Sequence, residues 1–145
     1  MRDVAAAAAW GLVVVLLAGC GEEDRQAQAR TVAEGYFQAV KTKDTDRAVA
    51  FFAPRYLETR SPEGLKQDIR IITARLGDLR AYRLTATRWR TDFIPPESGI
   101  HVTLEYEVEY ARHPARETFT IHKPFARREY KILTHTIVSR GFVME

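Results

Sequence analysis

The chain has 145 residues, a formal net charge of +3, one cysteine and 46% hydrophobic residues. That length suits one core and a short appendage, and so small a basic excess argues against a nucleic-acid partner. A lone cysteine excludes an internal disulfide, so packing and hydrogen bonds must hold the fold. The arginines, among them Arg55, Arg70, Arg83, Arg112 and Arg127, are scattered and read as a solvated surface.

Arg2 and Asp3 open the chain, and an apolar span runs from Val4 to Leu17. As a helix it would rise roughly 21 Å at about 1.5 Å per residue, short of a hydrocarbon core about 30 Å thick. It is a poor permanent anchor, and the small residues Ala18 and Gly19 before Cys20 suit a peptidase cleft. Leu17-Ala18-Gly19-Cys20 resembles the lipobox of bacterial lipoproteins. The resemblance implies a signal peptide over residues 1–19, cleavage before Cys20, and diacylglycerol in thioether linkage on its sulfur. In many bacteria a further acyl chain such as palmitate joins the new amino group. Two or three acyl chains, at about 0.8 kcal/mol per buried methylene, make desorption negligible. The protein is then exported and anchored to the cell envelope through Cys20. Because Gly21 rather than aspartate follows, the family rule points to the periplasmic face of the outer membrane in a Gram-negative host.

Residues 20–26 are polar and read as a lipidated flexible leader, with the domain spanning 27–145. Ala29, Val32, Ala33, Tyr36, Phe37 and Val40 recur at helical spacing and predict a first helix ending near Lys43. Asp44 or Thr45 caps a second helix that buries Ala48, Val49 and Phe52 and stops around Pro54. Ser61 and Pro62 start a third, with Leu65, Ile69, Ile72 and Leu76 on one face and Gly77 as its stop. The period then becomes alternating: a strand over 82–91, a Pro95–Gly99 turn, and a strand with Ile100, Val102, Leu104, Tyr106, Val108 and Tyr110 on one face. Further strands are expected over 117–122 and 130–139.

Helices followed by an antiparallel meander give an α+β class, with three N-terminal helices on a sheet of about four strands. The segments VAEGYFQAVKTKDTDRAVAFFAP and EGLKQDIRIITARLGDLRAYRL resemble the opening of nuclear transport factor 2-like (NTF2-like) domains, which include the ketosteroid isomerases. The resemblance spans nearly the whole mature chain and implies a curved sheet wrapped around the helices into a cone, often with a pocket at its open end.

No Gly-x-Ser-x-Gly elbow or phosphate-cradling glycine loop occurs, and Cys20 is committed to lipid. The four histidines, His101, His113, His122 and His135, lack metal-ligand spacing, so no metal and no cofactor is expected. In ketosteroid isomerases the first helix carries an oxyanion-hole tyrosine, and the resemblance puts Tyr36 there. At the general-base aspartate this chain has Arg60, with Glu58 two residues earlier. No catalytic residue is assigned on that partial match. Tyr36, Phe52, Tyr56, Trp89 and Tyr106 are candidate pocket residues, pairing apolar bodies with some polar tips. Glu105, Glu107 and Glu109 form an acidic row that Arg83, Arg88 or Arg116 could neutralise, giving a charged sheet face on which a homodimer could form. The expected function is non-catalytic binding of an envelope protein or a small apolar ligand. The alternative is an isomerase, dehydratase or cyclase using Tyr36 with Glu58 or Asp92.

Overall fold

A computed structural model describes residues 20–143, so the expected signal peptide, residues 1–19, lies outside the described residues. Helix α1 spans Cys20–Lys41. Residues 20–26, expected as a flexible leader, are its first two turns. Their polarity suits the exposed start of a helix: Glu22 and Glu23 stand at its positive end. Gln26 and Gln28 donate back one turn to Glu22 and Asp24, and the Trp89 indole donates to Glu22 at 2.7 Å. Further along, Ala29, Ala33, Tyr36, Phe37 and Val40 are buried as the spacing predicts.

Lys43, at φ 61°, turns the chain into α2, Thr45–Ala50, where the Asp44 side chain accepts from the Arg47 amide at 3.1 Å. Pro54 was expected to end this region, but it opens a further short helix, α3, Pro54–Thr59, as the first-turn residue whose missing N–H costs nothing. Helix α4, Pro62–Leu76, starts at the Ser61 cap and closes at Gly77, whose φ of 89° and close approach to Ala111 exclude a side chain. The described residues thus hold four α-helices ahead of the sheet, one more than expected.

The sheet is an antiparallel meander in the order β1-β2-β3-β4, formed by Leu79–Asp92, Gly99–Tyr110, Pro114–Pro124 and Lys131–Val138. Register places Val102 opposite Ile121, Leu104 opposite Phe119 and Tyr106 opposite Glu117, so these share the face turned to the helices. Phe37 fills the centre, stacked on Tyr82 at 4.6 Å and edge-on to Tyr106 and Phe119. On the opposite face Arg83 pairs with Glu107 and Arg88 with Glu105, as the alternation predicts. The start of the β4 edge is bridged by the segment between α2 and α3: the Ala53 amide donates to Ile132 O and the Ile132 amide to Phe51 O, both at 2.8 Å. Among the described residues no helix is long and apolar enough to cross a membrane.

Candidate functional site

On β3 the alternation Ala115, Glu117, Phe119, Ile121 sends a carboxylate into the apolar face, and the Glu117 side chain is 0% exposed. A buried carboxylate is tolerated when donors meet its oxygens. The Tyr110 hydroxyl, at the end of β2, donates to Oε1 at 2.5 Å, and His135 Nε2, on β4, lies 2.7 Å from Oε2. The contact between Nε2 and Oε2, with the stacking on Phe119, holds the imidazole in one orientation. His135 lies flat on Phe119, with ring centres 4.5 Å apart and planes 7° apart. Tyr36 meets that imidazole edge-on at 5.3 Å and Phe52 at 5.6 Å.

Burial first, then the Glu117 charge, raises the Tyr36 pKa well above its ordinary value, with smaller contributions from Tyr56 and Asp68. Burial, the Glu117 charge and the hydrogen bond to it raise Tyr110 likewise. Both phenols therefore stay protonated at neutral pH. His135 also lines a cavity of about 310 Å³ between α4 and β4, walled by Leu65, Ile69, Ile72, Ile137 and Phe142, with Tyr56 and Asp68 at its side. Asp68 is tied to Arg60 through both guanidinium branches. This open hollow joins an apolar wall to the polar groups of His135, Tyr56 and Asp68, a lining that suits a small ligand of mixed apolar and polar character.

A second arrangement lies on the other sheet face. His101 and His122, opposite one another in register, stack with ring centres 4.4 Å apart. Their Nε2 atoms hydrogen-bond the Glu97 and Ser98 carbonyl oxygens, at 2.8 and 3.3 Å. Burial, then the neighbouring His101, lowers the His122 pKa. A cavity of about 290 Å³ beside His122 is lined by Arg55, Glu58, Glu97, Arg127 and Lys131. Among the described residues no cluster of three or more histidine, cysteine or acidic side chains could hold a metal ion.

Of the five candidate pocket residues, Tyr36, Phe52 and Tyr56 form one run of ring contacts, and Tyr106 and Trp89 lie apart from it. Tyr36, Phe52 and Tyr106 are buried in the core, Tyr56 lines the cavity below His135, and Trp89 packs against the start of α1 under the Arg25 guanidinium. Neither carboxylate considered as a base is drawn to Tyr36. Glu58 is exposed and lines the His122 cavity; Asp92 accepts from the Ile94 amide in its own turn at 3.0 Å. The carboxylate facing Tyr36 is Glu117, which sequence reasoning missed. The available signal was an acid in step with Ala115, Phe119 and Ile121 on an alternating strand. Compared with known protein families the chain matches none, and no curated protein matches it.

Proposed function

We propose that this chain is an exported, lipid-anchored protein of the bacterial cell envelope whose domain, an NTF2-like cone, binds a small apolar ligand without chemical change. The observation that carries the binding half is the apolar cavity with His135 in its wall, held in place by buried Glu117. The anchoring half is supported by the sequence alone: an apolar span from Val4 to Leu17 followed by Leu17-Ala18-Gly19-Cys20, with no other cysteine in the chain.

Two measurements test it. Cells expressing the full chain and fed labelled palmitate are expected to label it, and Cys20→Ser is expected to abolish labelling and leave the protein uncleaved. Native mass spectrometry of the mature protein extracted from membranes is expected to show a bound small molecule. Ile72→Trp, which fills the cavity, removes that species while the melting temperature stays within a few degrees. Loss of label with the small molecule retained would separate the two halves.

A second reading is favoured by the Glu117–His135 pair itself. An isomerase or dehydratase needs a base at the substrate and a donor to the developing oxyanion; the oriented imidazole of His135 suits the first, while the phenol of Tyr36 packs on that imidazole without lining the cavity. It expects turnover on an enolisable or hydrated substrate that falls about 10²- to 10⁴-fold in His135→Asn. The binding reading expects weakened affinity in that variant and no turnover in the parent protein.

A further inference from the structure

One end of the domain carries an exposed apolar tip. Phe93 and Ile94 in the β1–β2 turn are 77% and 75% exposed, and Phe125 in the β3–β4 turn is 55% exposed. The rings of Phe93 and Phe125 stack on each other with centres 5.6 Å apart, so two separate turns build a single patch. Large side chains left in water as a contiguous group mark a contact surface. The turn that bears Phe93 is also fastened: its Glu97 and Ser98 carbonyls take the two stacked histidines, and Arg55 pairs with Glu97 at 3.6 Å.

The same end holds the start of α1. Trp89, three residues before the end of β1, donates to Glu22 and lies 5.7 Å from the Arg25 guanidinium. Tyr130, which follows the β3–β4 turn, feels the charges of Arg25 and Asp24. Since α1 is helical from Cys20, about 1.5 Å of rise per residue separates that residue from Glu22, and no loose spacer intervenes. Around Phe125 the sequence Lys123-Pro124-Phe125-Ala126-Arg127-Arg128 flanks the aromatic ring with cations, a pattern suited to anionic headgroups. Of the acids of α1 beside it, Glu22 accepts from Trp89 and Gln26 and Asp24 from Gln28, while Glu23 is exposed.

We infer that Phe93, Ile94 and Phe125 form a membrane-contact tip that inserts at the headgroup boundary of an anionic bilayer, with Lys123, Arg127 and Arg128 on the lipid phosphates, docking the domain in one orientation. This rests on the reading of Cys20 as the lipid-bearing residue, and it adds that the folded body, as well as the acyl chains, touches the bilayer. Apolar side chains flanked by cations are the pattern by which proteins lie on membranes without crossing them.

The test uses the mature lipidated protein in vesicles of phosphatidylethanolamine and phosphatidylglycerol. With the native sulfur in thioether linkage, Ala126→Cys supplies a single thiol for a nitroxide label, and Val138→Cys, 65% exposed near the opposite end of the sheet, is the reference. The expected result is a several-fold higher ratio of oxygen to polar-nickel collisions at position 126 than at 138. Adding Phe93→Ser, Ile94→Ser and Phe125→Ser should erase the difference while the protein still floats with the vesicles. Equal, water-like accessibility at both positions in protein that floats overturns the tip and leaves the anchor standing. Protein that neither floats nor carries lipid overturns both. Dipolar broadening between labels at 126 on different molecules would assign the patch to a second copy and overturn membrane contact.

Discussion

Glu117 is held by groups from two other strands, Tyr110 and His135, and that determines how each variant behaves. Removing a donor from a buried carboxylate leaves that group short of a partner and costs on the scale of a broken buried pair, about 3–5 kcal/mol. His135→Ala is therefore expected to lose stability on that scale in urea denaturation. Glu117→Gln, which keeps the shape and removes the charge, should lose less, about 1–3 kcal/mol. His122 behaves differently. Burial and His101 lower its pKa, so the folded protein resists a proton that the unfolded chain accepts at its ordinary value of 6.5. Its contribution is complete above that pH and declines as the pH falls through it. His122→Gln should accordingly narrow the gap between unfolding free energies measured at pH 7 and pH 5.

The helices show which signals a sequence transmits. Ser61, Pro62 and Gly77 mark α4 because each supplies a distinct backbone need: a side-chain acceptor for the Gly64 amide, a fixed φ, and a left-handed stop. Ser61→Ala is expected to cost about 1 kcal/mol in thermal unfolding. Gly77→Ala should cost more, because a side chain at φ 89° would also press on Ala111. Helix α3 was illegible for a physical reason: none of its residues is fully buried, so it has no apolar stripe. Its place follows from the pairing of Phe51 and Ala53 with β4, which no local pattern announces. The leader was misread similarly, since Glu22 to Gln26 lack apolar spacing and yet continue α1 under contacts from distant β1.

At the scale of the molecule, the α+β class and the charged sheet face were readable because alternation and charge pairing act between neighbouring strands. The candidate site was not. Tyr110, Glu117 and His135 lie on three strands, and their meeting depends on registers that accumulate through β2, β3 and β4. A reader of residues alone sees a tyrosine, an acid and a histidine, each with an ordinary explanation. The same geometry gives the domain two unlike ends. Cys20 and the turns with Phe93 and Phe125 occupy one. At the other, backbone bonds tie Ala111 to Asp78 and Arg112 to Leu76.

Unpaired strand edges invite strand-to-strand fusion, and the two margins of this sheet meet that danger differently. The β4 margin is bridged at its start, where the Ile132 amide and carbonyl are satisfied by Phe51 and Ala53. The β1 margin instead carries Arg80, Arg83, Arg88 and Arg90 along its length. With Arg83 and Arg88 paired to Glu107 and Glu105, it is Arg80 and Arg90 that two such margins would set against each other, a charge barrier of the kind that keeps open sheets from fusing. Replacing Arg80 and Arg90 with threonine is thus expected to raise light scattering of concentrated protein above that of the parent, most visibly at low salt, where the parent's repulsion is least screened.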